Sequence, residues 1–241
     1  MKNKILLVGV LVLSLFTLTG CFGKEKEESK INKEAALEFK TSYESLNGKT
    51  NASGKEHRTV TISEENPFVT TTAEEIVKKI ENKETFYVYF GDKLCPWCRS
   101  VVEKAVEVAN KNKIYTVYYV PIWDNEGKEI LRDKYVVNEK GNLEKTVEGT
   151  EAYFKLLEYF DSFLRDYTLT SGDKTIMSGE KRIYAPNFMY VENGVLKRMT
   201  TGKSDKQTDS REVLTEEMLK DEEEAFKTFY LGDSCSLNEA C

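Results

Sequence analysis

The stretch "TFYVYFGDKLCPWCRSVVEKAVEVANKNK", residues 85–113, carries the strongest structural pattern in this chain of 241 residues. Its first part, 85–90, is an almost continuous run of aromatic and β-branched residues, which is typical of a strand buried on both faces of a sheet. Its last part, 101–113, repeats apolar residues at helical spacing. The two cysteines, Cys95 and Cys98, are therefore predicted to lie where a strand passes into a helix.

The neighbouring segments extend this pattern to a βαβ unit. Residues 71–84 predict a helix with Thr72 as N-cap, because Glu75 follows at the spacing of a capping box. Residues 114–123, "IYTVYYVPIW", predict a second buried strand. The order helix, strand, CxxC, helix, strand predicts an α/β fold.

The rest of the chain adds elements on both sides of this unit. Before it, we predict a short helix that ends near Gly48 and a strand at 58–63, "RTVTIS". After it, we predict a hairpin or loop turning at Lys140-Gly141 and one long amphipathic helix over 150–167. The aromatic stripe of that helix is interpreted as core, with a binding groove as the alternative.

The last third of the chain predicts a hairpin followed by a helix. Residues 183–202 read as two strands joined at Asn193-Gly194, which is a strong turn dipeptide. The closing helix has Thr215 as its expected N-cap and Gly232 beyond its end.

The net charge of -6 argues against a nucleic-acid partner, because phosphate binding needs clustered Lys and Arg. Here the basic residues are interleaved with Glu along the chain. Hydrophobic residues make up 40%, which is enough for an ordinary globular core.

Residues 1–20 predict an export signal. Lys2 and Lys4 precede an apolar run over 5–16 that is shorter than the roughly 20 residues needed to span a bilayer. The end of this segment, "LTGC", resembles the lipobox of bacterial lipoproteins. The resemblance implies lipidation of Cys21 and an extracytoplasmic chain anchored to the bacterial cell membrane, whereas the alternative is an ordinary cleaved signal. The polar residues 21–34 then form a tether.

Export has a consequence for the other four cysteines, because thiols outside the cytoplasm tend to oxidise. Cys235 and Cys241 would close a short loop, and we interpret them as a structural disulfide on the tail 233–241. The alternative is a relay that exchanges disulfides with Cys95 and Cys98 or with a partner.

Cys95 and Cys98 themselves are best explained as a redox pair. A Cys at a helix N-cap faces free N–H groups and the positive end of the helix dipole, which stabilise the thiolate. Cys98, one turn later, can attack a mixed disulfide formed on Cys95. Pro96 fits the first helical position, where its missing N–H has no partner to lose.

Two alternatives remain for this pair, a zinc site and two inert buried thiols. Zinc needs four ligands, and the only histidine, His57, is in an unrelated segment where we expect a surface position. We therefore expect no metal and no cofactor.

Together, a strand ending in CxxC at a helix start, a later Pro that opens a hairpin ("YAPNF") and a final helix resemble the thioredoxin superfamily. The resemblance covers about 70–124 and 183–231. It implies a central mixed sheet flanked by helices over 67–232, with a helical insertion at 125–182 and an N-terminal extension at 35–66. Pro186 matches the cis-proline that faces the cysteine pair in that fold.

The resemblance also implies a thiol-disulfide oxidoreductase that acts on exported proteins or peptides and exchanges electrons with a membrane or extracytoplasmic partner. Cys95 would attack and Cys98 would resolve. Pro96, Trp97, Ala185 and Pro186 would form the substrate groove.

The chain departs from the superfamily pattern at Tyr89, where reducing thioredoxins have a buried acid that accepts a proton from the resolving Cys. Asp92 and Glu103 are possible substitutes. The Pro-Trp dipeptide is more similar to glutaredoxins, and such changes shift the redox couple by tens of millivolts. The direction of electron flow therefore stays open. A second hypothesis is an accessory lipoprotein that uses the insertion 125–182 to bind a partner in an export or assembly system.

Overall fold

The computed structural model describes residues 30–232, so Cys21, Cys235 and Cys241 lie outside the described part of the chain. The helices are α1 (Lys33–Glu44), α2 (Ala73–Glu81), α3 (Pro96–Lys111), α4 (Glu151–Phe160) and α5 (Glu216–Leu231). The strands are β1 (Phe68–Thr70), β2 (Phe86–Gly91), β3 (Val117–Pro121), β4 (Lys134–Val137), β5 (Leu143–Val147), β6 (Arg165–Ser171), β7 (Lys174–Arg182), β8 (Asn187–Glu192) and β9 (Val195–Thr200).

Five of these strands form one mixed sheet in the order β1-β3-β2-β8-β9. β1, β3 and β2 run parallel, as the βαβ pattern predicts, whereas β8 and β9 run antiparallel to their neighbours. In the central strand, Val88 pairs with Tyr118 on one side and with Met189 on the other. The chain is thus an α/β protein with a mixed sheet flanked by helices.

The predicted ends of the helices are confirmed at three caps. The Thr72 hydroxyl accepts from the N–H of Glu75, and the Thr215 hydroxyl accepts from the N–H of Met218. Gly232 follows α5 with a φ of +77°, a backbone conformation that favours glycine. The turn at Asn193-Gly194 also joins β8 and β9 as predicted.

The sheet separates two hydrophobic cores because the side chains of β2 alternate between its faces. Tyr89 points to the cysteine face, which is packed by α1, α3 and α5 and contains Cys95 and Cys98. Phe86, Val88 and Phe90 point to the insertion face, which is packed by α2 and α4. Both faces of the central strand are therefore buried, as its composition predicts.

Residues 58–63 do not form the predicted strand. Val60 and Ile62 are buried, but the backbone groups of this segment bond to side chains instead of to a neighbouring strand. The Asn47 amide both donates to the Val60 carbonyl at 2.8 Å and accepts from the Val60 N–H at 3.0 Å. Glu44 of α1 accepts from the Ile62 N–H at 2.8 Å. Since these groups are satisfied by side chains, an extended segment remains outside the sheet.

The insertion 125–182 is not simply helical, and this corrects the sequence prediction. The helix predicted over 150–167 ends at Phe160, and after a short 3-10 turn the chain continues into β6. β6 pairs with β7, and β4 pairs with β5, so two hairpins accompany α4. Leu164 and Tyr167 are buried as predicted, but Leu164 lies in the irregular segment before β6 and Tyr167 lies in β6 itself. The backbone hydrogen bonds of the β6–β7 pairing override the helical pattern of this segment.

Among residues 30–232, no helix has the length and apolar content needed to cross a membrane.

Candidate functional site

The two cysteines lie at the carboxyl end of β2, where a tight turn leads into α3. The Asp92 carboxylate accepts from the N–H of Leu94 at 2.8 Å, and the Asp92 carbonyl accepts from the N–H of Cys95 at 3.2 Å. Cys95 takes the N-cap position with φ −74° and ψ 117°, and Pro96 is the first helical residue. The local sequence therefore places the Cys95 sulfur over the free N–H groups of the first turn of α3.

Cys95 is the more acidic of the two thiols. A hydrogen bond from the Cys98 thiol and the N–H groups of Cys98 and Trp97 lower its pKa, although burial and the Asp92 carboxylate oppose them. Only 5% of Cys95 is exposed, and its Sγ lies 3.7 Å from the carbonyl oxygen of Ala185. A lowered pKa increases the thiolate fraction at neutral pH, so Cys95 is suited to nucleophilic attack.

Cys98 is fully buried one helical turn further along the chain. Burial and the neighbouring Cys95 raise its pKa well above the usual range, while the Tyr89 hydroxyl and the Asp92 backbone N–H oppose this. The Asp92 N–H donates to Cys98 Sγ at 3.4 Å. The pair thus combines one activated thiol with one that stays protonated at neutral pH.

The segment opposite Cys95 is the loop that leads into β8. The Ala185-Pro186 peptide bond is cis, Pro186 is buried and Ala185 is half-buried. A side chain of the insertion bonds to this loop, because Arg132 donates to the Ile183 carbonyl at 3.2 Å. The structure therefore brings Cys95, Cys98, Ala185 and Pro186 together, although about ninety residues separate the two segments in sequence.

Pro96 and Trp97 line the accessible side of this arrangement, where both are half-buried. The Lys203 ammonium lies 4.5 Å from the centre of the Trp97 ring, so a cation covers one face of the indole.

An open cleft of about 630 Å³ borders the Ala185-Pro186 loop. Tyr184 and Asn187, which flank that dipeptide, line it together with Arg165 and Asp166 of β6. The insertion therefore contributes one wall of the cleft that borders this loop.

Two carboxylates were expected to be possible proton acceptors, and only one of them lies at the pair. Asp92 is 2% exposed, and burial raises its pKa to about 6. Glu103 is exposed on α3 and accepts from the N–H of Thr61 at 2.7 Å. Asp92 is thus the carboxylate whose charge acts on Cys95.

Several residues behind the cysteines were not identified as site residues from the sequence. Tyr43 of α1 is fully buried, and its hydroxyl lies 2.9 Å from that of Tyr89. Arg99 is also fully buried, and its guanidinium donates to the carbonyls of Tyr43 and Arg58 at 2.8 Å. The helical spacing of Ala36, Phe39 and Tyr43 was the available indication that α1 has a buried face.

His57 is only 6% exposed, so the expected surface position is wrong. Its backbone N–H donates to the Lys49 carbonyl at 2.9 Å, within the segment that packs beside Arg99. Burial, with Arg99 and Arg211 nearby, lowers its pKa. Within residues 30–232, no three or more His, Cys, Asp and Glu side chains group closely enough to hold a metal ion.

The chain was also compared with known proteins. A scan against protein-family models finds no match, and a search of curated proteins finds no significant relative. The functional argument therefore depends on the geometry of the cysteine pair.

Proposed function

We propose that this chain is a thiol-disulfide oxidoreductase with a thioredoxin-like fold that acts on exported proteins or peptides. The observation that carries the proposal is the position of Cys95 at the N-cap of α3, with its sulfur 3.7 Å from the Ala185 carbonyl beside the cis-Pro186. A thiol of lowered pKa beside the cis-Pro186 loop, with a second thiol one turn away, is the arrangement that disulfide exchange requires.

In the reductive direction, the Cys95 thiolate attacks one sulfur of a substrate disulfide. A mixed disulfide forms on Cys95, and the first substrate thiolate departs. Cys98 then loses its proton and attacks Cys95 Sγ, so that a Cys95–Cys98 disulfide forms and the second substrate thiolate departs and takes up that proton. The chain is oxidised by two electrons as the substrate is reduced. The oxidative direction is the reverse of these steps.

The substrate backbone would lie along the Ala185-Pro186 loop, with Pro96 and Trp97 on the opposite side. The cleft lined by Arg165 and Asp166 borders Tyr184 and Asn187, on either side of that dipeptide, and would take the part of the substrate that extends past the loop. On this account, the insertion shapes the substrate groove.

The strand order β1-β3-β2-β8-β9 and the cis-proline before β8 support the thioredoxin-like interpretation of the fold. The location is a separate part of the proposal. We propose that a lipid on Cys21 anchors the chain outside the bacterial cell membrane, that 21–34 is the tether, and that Cys235 and Cys241 form a disulfide in the tail.

The test is to trap the substrate. Cys98→Ala leaves Cys95 able to attack but removes the thiol that resolves the mixed disulfide, so we expect covalent, dithiothreitol-sensitive adducts in cells that make this variant. The matched control is the double substitution Cys95→Ala and Cys98→Ala, which should trap nothing. Nonreducing gels and mass spectrometry identify the adducts.

Two results would overturn the proposal. One is the absence of adducts on Cys98→Ala together with no insulin-reducing or refolding activity in the wild type. The other is a cellular phenotype that survives loss of both cysteines but not deletion of the insertion, which would favour an accessory, partner-binding lipoprotein. The reduction potential of the wild-type couple then determines the direction of electron flow.

A further inference from the structure

Three buried tyrosines lie behind the cysteine pair on the cysteine face. Tyr43 comes from α1, Tyr89 from β2 and Tyr119 from β3, and each is at most 5% exposed. The rings of Tyr89 and Tyr119 are stacked with their centres 5.4 Å apart, and the hydroxyls of Tyr43 and Tyr89 lie 2.9 Å apart. These hydroxyls are enclosed by the core, so their partners are one another and the groups at the site.

One hydrogen bond joins the hydroxyls of Tyr43 and Tyr89, whose oxygens are 2.9 Å apart. The Lys93 backbone N–H and the Tyr43 hydroxyl both lower the pKa of the Tyr119 phenol, which burial raises overall. The Tyr89 hydroxyl in turn lowers the pKa of the Cys98 thiol. We call the hydroxyls of Tyr119, Tyr43 and Tyr89, in this order, the series behind the resolving sulfur.

The thiolate fixes the direction of the series. A thiolate can only accept a hydrogen bond, whereas each tyrosine hydroxyl donates one hydrogen and accepts through its lone pairs. When Cys98 ionises, the Tyr89 hydrogen therefore points at its sulfur, and the Tyr89 oxygen is left to accept from Tyr43. Burial raises the pKa of all three phenols well above the usual range, so they keep these hydrogens.

We infer that Tyr89, supported by Tyr43 and Tyr119, donates a hydrogen bond to the Cys98 sulfur and stabilises its thiolate during resolution of the mixed disulfide. This inference rests on the proposed function and adds a catalytic residue to it. Tyr89 touches a reacting atom, while Tyr43 and Tyr119 act as positioning residues. No proton leaves Tyr89 in this step, since the departing substrate thiolate takes the proton that Cys98 releases.

The packing of β2 shows how Tyr89 reaches the sulfur. A Cβ added at Gly91 would lie 2.2 Å from the Tyr89 hydroxyl, so the phenol ring crosses directly over Gly91. The ring also stacks on Phe188 of β8, with centres 4.2 Å apart. Glycine at 91 thus leaves the space that directs the Tyr89 hydroxyl toward the turn that carries the cysteines.

The strength of such a bond sets the expected effect. A hydrogen bond to a charged group contributes more than one between neutral groups, and removal of a donor to a buried thiolate should slow the step that uses it by about tenfold. Each hydroxyl further along the series should have a smaller effect, because it acts only by polarising its neighbour.

The experiment uses the reagent 5,5′-dithiobis(2-nitrobenzoate) on the full chain with Cys21, Cys235 and Cys241 replaced by Ser. Attack by Cys95 releases one thionitrobenzoate at a rate proportional to reagent concentration. Attack by Cys98 on the adduct releases a second at a rate independent of that concentration. The two steps are thus measured separately without the natural substrate.

In Tyr89→Phe we expect the second phase to slow about tenfold, while the first changes by less than about twofold. The pH profile of the second phase should move to higher pH by about one unit. The matched control is Tyr230→Phe, which removes another buried hydroxyl from the same core, one that has no hydrogen-bond partner among the described residues. This control should leave both phases unchanged.

Equal second-phase rates in Tyr89→Phe and Tyr230→Phe would overturn the inference. If Tyr89→Phe does not fold, Tyr43→Phe tests the same series one hydroxyl further from sulfur, with a slowing of about threefold expected and an unchanged rate as the contrary result. Failure of the proposed function is a different outcome, since a wild-type chain that releases no second thionitrobenzoate has no resolving thiol to stabilise.

Discussion

The two faces of the central sheet bury polar groups in different ways. On the cysteine face, neutral hydroxyls lie behind the sulfurs, and the buried guanidinium of Arg99 donates to carbonyl and amide oxygens. The insertion face instead buries a network of side chains with opposite charges. Arg132 pairs with Glu129, and Arg182 lies 3.4 Å from Glu129 and 3.5 Å from Asp133.

The difference relates to what each face does. Buried charges interact strongly and over distance, so a carboxylate behind the thiols would raise the pKa of both. A neutral hydroxyl stabilises a thiolate only when its O–H bond points at the sulfur. The pKa of Cys95 therefore depends mainly on the N–H groups of α3 and on Cys98. The ionic network holds the loop before Pro186, because Arg132 donates to the Ile183 carbonyl.

The largest effect is expected from breaking the ionic network. Arg182→Met should lower the free energy of unfolding by about 3–5 kcal/mol, because it leaves Asp133 and Glu129 buried with one positive partner fewer. Chemical denaturation measures this loss. The exposed Arg165 gives the matched control, since Arg165→Met should change stability by no more than about 0.5 kcal/mol.

The same variant tests the separation of the two faces. Folded Arg182→Met should react at Cys95 with 5,5′-dithiobis(2-nitrobenzoate) at the wild-type rate, because no charge near the thiols has changed. A destabilisation below about 1 kcal/mol would show that the network is not the main support of the insertion face.

The next effect is a pH dependence that arises on the cysteine face at Glu222 of α5. This side chain is fully buried, and neither carboxylate oxygen has a hydrogen-bond partner among the described residues. Burial raises its pKa to about 8, although Arg58 and Lys104 act in the opposite direction and Glu103 adds to the increase.

The pKa of Glu222 is higher in the folded chain than in the unfolded chain. Its contribution to the free energy of unfolding is therefore fully present at low pH, where the carboxyl is protonated in both states. Stability is lost as pH rises from about 4.5 to about 8, and the loss between pH 5 and pH 8 should be about 3 kcal/mol. Glu222→Gln should remove this dependence and raise the melting temperature most at pH 8. Glu224→Gln, an exposed site on the same helix, is the control, and an equal pH dependence in wild type and Glu222→Gln would contradict the account.

The smallest effect is expected at Asp92, the one carboxylate whose charge acts on Cys95. Asp92→Asn removes a charge that raises the pKa of the Cys95 thiol, so alkylation by iodoacetamide at pH 7 should become about two- to threefold faster. The wild-type rate should show an inflection near pH 6, where Asp92 titrates, and the variant should not.

Glu103→Gln is the matched control for this prediction, because Glu103 is exposed and is not among the groups that shift the pKa of either thiol. Identical alkylation profiles in Asp92→Asn and Glu103→Gln would show that the acidity of Cys95 depends on the helix N-terminus and Cys98 alone.

Much of the site could be predicted because its contacts are local. Cys95, Pro96 and Cys98 lie within one turn at the start of α3. Their spacing alone therefore predicts a thiol at the N-cap and a second thiol one helical turn later. Thr72 and Thr215 were identified in the same way, since a cap bonds to a residue three positions away. The extended run before the cysteines also predicts a strand with two buried faces, and β2 confirms it.

The predictions failed where long-range contacts compete with a local pattern. Residues 58–63 alternate like a strand, but side chains from α1, from Asn47 just after it and from α3 satisfy their backbone groups. Residues 161–167 continue a helical pattern, but from Arg165 onward the chain pairs with β7 as a strand. The groups that bond to these two segments lie elsewhere in the chain, so the sequence of each segment alone could not predict them.

The sequence by itself determined the α/β order of elements and the position of Cys95 at a helix N-cap with Cys98 one turn later, because both follow from patterns and spacings within short segments of the chain. Only the tertiary structure decided what lies behind the pair. Tyr43 meets Tyr89 across 46 positions, and α1 must pack on the sheet before their hydroxyls can bond. The environment of the buried sulfur is therefore a property of the assembled core, since hydrogen bonds depend on distance and direction in space.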